Sequence, residues 1–307
     1  MDRRHFLKSL IGYLLFYGSM FSFKSLRNLH SQEEDSSVNP YDVVAVKGGE
    51  PDQMFDAAIK ILGGMKTFVK KNQTVVIKPN MGWDVSPEKA GNTNPLLVAQ
   101  VIKHCFQAGA KEVSVFDNTC DHWQSTYRNS GIEKAAKEAG AHVVPANDKK
   151  YYRPVEIPGA KILKDALVHE LILDSDVFIN MPVLKHHGSA RLTIAMKNLM
   201  GIVWDRHFWH RNDLHQCIAD FCLFKKPDLN VIDAYRVLMR NGPRGGSESD
   251  VSTLKTLILS RDMVAGDAAA AKIFGAEPQD IPYIQIANEM GVGVMNLDNL
   301  NISRIKM

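Results

Sequence analysis

The sequence predicts an α/β protein with a doubly wound, mostly parallel, Rossmann-like sheet and a small antiparallel excursion. Short apolar runs alternate along the chain with longer segments whose apolar residues recur at helical spacing. This alternation is typical of βαβ units. Four of the apolar runs end directly in Lys, Asn or Asp. Ligands bind at the carboxyl ends of strands in open parallel sheets, so these runs also predict a ligand crevice.

Each element has a local signal. Asn94 and Pro95 suit the cap and first turn of a helix that Gly109 ends, and Asp262 suits the cap of an Ala-rich helix. The predicted strands are 41–46, 74–78, 112–116, 141–144, 176–181, 229–232, 254–259 and 299–304. The predicted helices are 52–64, 95–107, 132–139, 190–200, 212–225, 262–274 and 281–290.

The antiparallel excursion is predicted within residues 151–173, where short β-like runs surround Pro154 and Pro158. The main sheet resumes at 176–181. The predicted organisation is a single α/β domain over 41–307, preceded by a signal or anchor segment over 1–30 and a polar linker over 31–40.

The N-terminal segment resembles a twin-arginine export signal. Arg3 and Arg4 precede Phe-Leu-Lys, and the apolar run 10–23 is shorter than the roughly 20 residues that span a bilayer. No clear Ala-x-Ala cleavage site follows, so cleavage and retention as a membrane anchor both stay open. The segment predicts a periplasmic or cell-envelope location and the twin-arginine export machinery as a partner. A soluble amphipathic helix with two chance arginines is the alternative.

Charge and cysteine content exclude several classes of function. The formal charge is +3, but the first thirty residues carry +4, which leaves −1 for residues 31–307. A nearly neutral body lacks the basic surface of a nucleic-acid-binding protein. The four cysteines form no C-x-x-C pair, so no iron–sulfur cluster is expected. Gly-rich dinucleotide and P-loop motifs are also absent from the sequence.

The predicted crevice gathers polar residues from the strand ends and from three later segments. We assign catalytic roles to Lys185, His186, Asp117 and Asp233. We assign ligand binding to Lys78, Asn80, Asn180, Thr193, Lys197, Asn198 and Arg244. The cations would hold a small anionic molecule, while Asp and His would transfer protons or bind a divalent metal. Asp and Asn also start ordinary turns, which is the alternative for any single strand end.

Histidines and aromatic residues crowd the stretch 204–215. His187, His210 and His215 are the candidate ligands of a divalent metal, since such sites accept His and Asp sets. A lid over the crevice and an ordinary surface loop are the two alternatives for this stretch.

Seven motifs in order resemble a family catalogued as domain of unknown function 362. They are I-K-P-N, N-T-N-P, I-N-M-P-V-L-K-H-H, A-M-K-N-L-M-G-I, P-D-L-N-V-I-D-A, N-G-P-R-G-G and D-M-V-A-G-D-A. The resemblance covers roughly residues 42–292 and implies no settled reaction. Some members of the family carry a ferredoxin-like cluster domain, whose cysteines this chain lacks. A more distant similarity of architecture is to the lactate racemase family, whose members hold a nickel pincer cofactor. Lys185, His186 and His187 are the residues that invite comparison there, although the surrounding motifs differ.

Three functions fit these observations. The first is an exported enzyme acting on a small anionic molecule, with or without a metal. The second is a non-catalytic periplasmic protein that binds a ligand or cofactor. The third is a structural partner in an envelope complex, with residues 204–209 as the contact.

Overall fold

The computed structural model describes residues 41–307 and places ten strands in one sheet. A separate two-stranded antiparallel sheet is formed by β5 and β6. The strands are β1 Val43–Lys47, β2 Thr74–Pro79, β3 Glu112–Val115, β4 His142–Val143, β5 Tyr152–Glu156, β6 Asp165–His169, β7 Val177–Met181, β8 Val183–His187, β9 Arg191–Thr193, β10 Leu229–Leu238, β11 Val251–Ser260 and β12 Ile302–Lys306. The predicted segments 1–30 and 31–40 lie outside the described residues.

Helices cover both faces of the main sheet, which makes the fold doubly wound. The helices are α1 Pro51–Ile61, α2 Pro95–Ala108, α3 Trp123–Asn129, α4 Ile132–Glu138, α5 Glu170–Asp174, α6 Ala195–Asn198, α7 His207–Arg211, α8 Leu214–Phe221, α9 Met263–Phe274 and α10 Pro282–Glu289. Successive strand residues point to opposite faces. Val75 and Ile77 of β2 therefore pack into the core with α1 and α2, whereas Val76 belongs to the core that includes α8 and α9.

The strand order confirms the predicted mostly parallel sheet. The order is β12-β1-β11-β10-β7-β2-β3-β4, and along it only β11 runs antiparallel to its neighbours. The four strands whose ends predicted the crevice, β10, β7, β2 and β3, are adjacent and parallel. Their carboxyl ends therefore lie at one edge. The predicted antiparallel excursion is also confirmed, as β5 and β6.

Two local predictions were wrong. Residues 183–187, expected in a loop, form β8, and the expected helix 190–200 begins as strand β9. These strands pair antiparallel, with Lys185 opposite Thr193. The helical spacing of apolar residues in 190–200 was misleading because every residue of this segment except Arg191 is buried, and an almost fully buried segment need not show one apolar face. Helix α3 was not anticipated from the sequence.

No helix among residues 41–307 is both long and apolar enough to cross a membrane. These residues fall within a single compact unit.

Candidate anion-binding pocket

The carboxyl ends of the central strands border a cavity of about 420 Å³. The structure brings nine of the predicted site residues to its walls: Lys78, Asn80, Asp117, Lys185, His187, Thr193, Lys197, Asn198 and His210. Strand β2 and the segment after β3 supply its floor, the β8–β9 hairpin and α6 supply one wall, and α7 supplies another.

The floor of the pocket contains a buried ion pair. The Lys78 ammonium lies 3.0 Å from Oδ1 of Asp117, and both side chains are almost wholly buried. The other carboxylate oxygen of Asp117 accepts the backbone N–H of Met81 at 2.6 Å. Burial lowers the pKa of Lys78 and raises that of Asp117, and their mutual attraction opposes both shifts. The pair therefore contributes no net charge to the pocket while it stays intact.

The backbone at Gly201 packs closely against this ion pair, which is possible because glycine has no side chain. A Cβ at Gly201 would lie 1.9 Å from Oδ1 of Asp117 and 2.5 Å from Nζ of Lys78. Real Cβ atoms do not approach this closely, so only glycine fits here. Gly201 follows α6, and its carbonyl accepts the backbone N–H of Asn118 at 2.9 Å.

A chain of buried amides connects the pocket floor to the sheet interior. Oδ1 of Asn198 accepts from Nζ of Lys78 at 2.7 Å and from Nδ2 of Asn80 at 3.0 Å. The Asn198 amide donates to Oδ1 of Asn180 at 2.8 Å, and Asn180 donates in turn to Asn230 at 3.0 Å. Each amide is both donor and acceptor, so the network fixes the orientation of Asn80 and Asn198.

Helix α6 is held in place by Asp267 of α9. The two carboxylate oxygens of Asp267 accept the backbone N–H groups of Ala195 and Met196, at 2.7 and 3.1 Å. These N–H groups have no partner within such a short helix. Asp267 is fully buried and lies neither in the crevice nor in water. By fixing the start of α6, Asp267 positions Lys197 and Asn198, which lie in the same short helix.

Two buried lysines face the cavity with different partners. Nζ of Lys185 donates to Oδ1 of Asn80 at 3.0 Å and to the Gly91 carbonyl, and burial lowers its pKa to about 7. Burial also lowers the pKa of Lys197, to about 8. The Lys197 ammonium has no hydrogen-bond or ion-pair partner among residues 41–307, although its side chain is only 9% exposed. The ammonium therefore keeps its hydrogen-bond donors available for a ligand in the cavity.

Two neutral polar groups complete the wall. The hydroxyl of Thr193 is buried at the cavity and has no hydrogen-bond partner within the described part of the chain. Nδ1 of His187 accepts the backbone N–H groups of Ser189 and Ala190, each at 3.2 Å. Burial lowers the pKa of His187 to about 2, so the neutral ring carries its hydrogen on Nε2. Thr193 and His187 can both donate to an anion.

Ten of the residues that line the cavity were not predicted from the sequence, and Arg206 and Cys120 are two of them. Arg206 donates to the carbonyls of Asn118 and Thr119, at 2.7 and 2.6 Å, and lies 3.4 Å from Sγ of Cys120. Arg206 and Cys120 both line the cavity. Arg206 lay in the His-rich stretch already singled out, and Cys120 closely follows a predicted strand end. These sequence positions could have identified Arg206 and Cys120 as candidate site residues.

Five predicted residues do not line the cavity. Asn180 lies behind it in the amide network. Nδ1 of His186 accepts the backbone N–H of Gly242 at 3.1 Å. Asp233 accepts the backbone N–H groups of Asn94 and Tyr235, and burial raises its pKa to about 6. The remaining two are Arg244, which pairs with Asp121, and His215, whose ring stacks at 6.2 Å on that of Tyr283.

The structure does not bring the three predicted metal ligands together. The structure brings His187 and His210 to the cavity but keeps His215 away. Among residues 41–307 no three His, Cys, Asp or Glu side chains are arranged to hold a metal ion. A metal-bound histidine normally donates its second ring N–H, whereas Nδ1 of His187 accepts two hydrogen bonds. Because Nδ1 accepts hydrogen bonds, the neutral His187 ring must carry its hydrogen on Nε2. A metal bound at Nε2 would displace that hydrogen.

Residues 75–272 match the family described as "Domain of unknown function (DUF362)". The chain belongs to this family. The resemblance carried by the sequence motifs is thereby confirmed. The DUF362 match includes the strands, the hairpin and the short helix that supply the lysines of the pocket.

Similar proteins include one curated relative and two solved structures. A thylakoid-associated protein of Synechocystis sp. is 26% identical over 240 residues, covering 75% of this chain and 72% of its own. A crystal structure from Thermotoga maritima has a TM-score of 0.46 at 10% identity, covering 78% of this chain and 60% of its own. The lactate racemase apoprotein of Thermoanaerobacterium thermosaccharolyticum has a TM-score of 0.43 at 9% identity, covering 83% and 58%. The chain thus spans less than two thirds of either solved structure.

Proposed function

We propose that the protein is an enzyme that binds a small dianion in this pocket and exchanges a proton with it through Lys197. The single observation that carries the proposal is the largely buried Lys197 side chain, which lines the cavity and whose ammonium has no hydrogen-bond or ion-pair partner among residues 41–307. A non-catalytic periplasmic binding protein is the second candidate, because the same charges would hold an anion without any chemistry.

The charge of the lining supports a ligand with two negative charges. Lys78 and Asp117 neutralise each other. Lys197 and Arg206 each contribute one positive charge, and within residues 41–307 the hydrogen-bond partners of Arg206 are two carbonyls and a thiol. Lys185 titrates near neutral pH because burial lowers its pKa to about 7. Asp117 is the one carboxylate among the residues that line the cavity. A dianion therefore balances the pocket, whereas a monoanion leaves a buried charge uncompensated.

The near-neutral lysines support proton transfer. A general acid or base works best when its pKa lies near the operating pH. The pKa of Lys197, lowered by burial to about 8, meets that requirement. Lys185 has a comparable pKa, but its ammonium is engaged by Asn80 and Gly91. Lys197 is therefore the better group to approach a substrate atom, while Thr193 and His187 hold the anion in place.

Calorimetry with a dianion and a matched monoanion tests the binding. Malonate should bind at least about tenfold more tightly than acetate, which corresponds to about 1.4 kcal/mol. Lys197→Met should weaken malonate binding by about tenfold or more. Lys134→Met is the control, since that side chain is 79% exposed on α4, and it should leave the affinity unchanged. Equal affinity for malonate and acetate would contradict the proposed dianion pocket.

Hydrogen exchange separates catalysis from binding alone. Oxaloacetate is a dianion with acidic carbon-bound hydrogens, whose loss in D₂O can be followed by proton NMR. Wild-type protein should accelerate that loss. Lys197→Arg keeps the positive charge but cannot be deprotonated, so it should bind oxaloacetate and fail to accelerate exchange. Binding by the wild type without any exchange would favour the non-catalytic candidate.

We also propose that the protein reaches the cell envelope by the twin-arginine route. Arg3 and Arg4 before an apolar run are the sequence features that support this location. The thylakoid association named for the Synechocystis relative is compatible with a membrane-adjacent location but is a statement about that protein.

A further inference from the structure

A second cavity of about 450 Å³ adjoins the anion pocket. The two cavities share Asn118, Arg206 and His207 in their linings. The shared residues make the two cavities neighbours, and Arg206 is the arginine common to both linings. A small dianion occupies only part of a cavity of about 420 Å³, because pockets of roughly 300–1,000 Å³ accommodate drug-sized ligands.

The second cavity differs chemically from the first. Trp204 and Leu167 give it apolar surface, and Lys149 and Asp205 also line it. Oδ1 of Asp205 already accepts the backbone N–H groups of His207 and Phe208, at 3.0 and 3.3 Å. The apolar surface is thus the feature left to select a ligand.

Trp204 is fixed in place although its side chain is partly exposed. Its backbone N–H donates to the carbonyl of Leu167 at 3.0 Å. Its ring lies 5.3 Å from the ring of Tyr152, which is buried and donates a hydrogen bond to the Ala146 carbonyl at 2.8 Å. A tryptophan ring braced on one side and accessible on another suits the stacking of a flat ring.

Arg206 lies at the junction between the two cavities. Its guanidinium makes three contacts with Asn118, Thr119 and Cys120. Arginine has five N–H donors, so donors remain for a group that passes from one cavity to the other. The guanidinium is also held in one orientation, which favours recognition of a defined linker.

Resting on the proposed dianion pocket, we propose that the natural ligand is an aromatic ring joined to a phosphate, as in a nucleoside monophosphate. The phosphate occupies the lysine-lined cavity, the linker passes Arg206, and the ring packs against Trp204. Base–aromatic stacking contributes enough to raise affinity by about tenfold or more.

Titration with a graded set of ligands tests this assignment. The probes are inorganic phosphate, ribose 5-phosphate and adenosine 5′-monophosphate, measured by calorimetry. Wild-type protein should bind the nucleotide about tenfold more tightly than ribose 5-phosphate. Trp204→Leu should bring these two affinities to within about threefold and leave phosphate binding unchanged. Trp123→Leu is the matched control, since Trp123 is also partly exposed but lines neither cavity.

The outcomes distinguish this inference from the proposed function beneath it. If phosphate binds but the nucleotide gains nothing over ribose 5-phosphate, the ring assignment is overturned and the dianion pocket stands. If the nucleotide keeps its advantage in Trp204→Leu, the assignment to Trp204 is overturned. If neither phosphate nor malonate binds, the dianion pocket itself fails. Should Trp204→Leu not fold, Trp204→Phe provides the test: its smaller ring should reduce the advantage of the nucleotide, and an undiminished advantage would overturn the assignment to Trp204.

Discussion

Asp117 and Lys78 form an ion pair in the pocket floor, with 3.0 Å between Oδ1 and Nζ. Lys78 lies in β2, Asp117 follows the adjacent parallel strand β3, and the backbone at Gly201 covers the pair. Because the two charges cancel, they leave the other cations of the pocket free to attract a ligand. Because the ion pair lies so close to Gly201, even a methyl side chain at this position would disturb the pair.

Gly201→Ala should therefore cost stability and abolish dianion binding. The new Cβ would lie 1.9 Å from the Asp117 carboxylate, so the ion pair must open. Breaking a buried pair costs about 3–5 kcal/mol, and we expect a loss of at least about 3 kcal/mol in urea unfolding. Gly188→Ala is the control, because a Cβ there meets no atom within 4 Å. Equal effects of the two substitutions would show that the close approach has no energetic consequence.

The sequence predicted which strand ends meet, but not which side chains reach the cavity. Lys78 and Asn180 occupy opposite positions in β2 and β7, yet only Lys78 lines the pocket. Asn180 turns into the amide network because Asn198 and Asn230 lie beside it. Those partners come from distant segments, so the local sequence around Asn180 could not show whether its side chain faces the cavity or the amide network.

The contribution of Arg206 was unpredictable for a related reason. Its partners at Asn118, Thr119 and Cys120 lie more than 80 residues away in the sequence. The helix expected over 190–200 failed because pairing with β8 outweighed the apolar spacing of the segment. Polar residues at the end of a strand can be recognised within one segment of sequence, whereas the wall of a pocket is built from several segments that meet only in the folded protein.

Lys185→Met should change how stability depends on pH. Burial lowers the pKa of Lys185 to about 7 from an ordinary value of 10.5. Between these values the unfolded chain binds a proton that the folded chain does not, so the stability of the wild type rises with pH. Each pH unit in this window adds about 1.4 kcal/mol. The variant lacks this contribution.

Guanidinium unfolding at pH 8 and pH 9, without multivalent anions, measures the effect. The stability of the wild type relative to Lys185→Met should rise by about 1.4 kcal/mol over that interval. Lys134→Met, on the exposed face of α4, should run parallel to the wild type. A constant difference between wild type and Lys185→Met across this interval would mean that the Lys185 pKa is not lowered.

Replacing Arg3 and Arg4 together by lysine should block export. The twin-arginine machinery recognises the arginine pair, and lysine keeps the charge but not the planar guanidinium. Fractionation of cells that express the full chain should find the double variant in the cytoplasm and the wild type in the envelope. A variant in which only Lys8 becomes Arg preserves the pair and serves as the control. Continued export of the double variant would remove the twin-arginine interpretation.

Cys120 should be the one cysteine that reacts rapidly with iodoacetamide in the native protein. Cys105, Cys217 and Cys222 are buried, whereas Cys120 is exposed and lines the anion pocket. Its Sγ lies 3.4 Å from the Arg206 guanidinium, so a dianion held in the cavity by Arg206 would lie close to the thiol. Saturating sulfate should therefore slow alkylation by about tenfold or more, provided that it binds as proposed.

Mass spectrometry of the alkylated protein identifies the modified cysteine and its rate. Cys120→Ser should show no rapid modification, and Lys197→Met should lose the protection by sulfate while keeping the reactive thiol. Sodium chloride at matched ionic strength separates occupancy of the pocket from general screening. Rapid labelling of a second cysteine would contradict the burial of the other three. Alkylation that proceeds at the same rate with and without sulfate would place the anion, if it binds, away from Cys120 and Arg206.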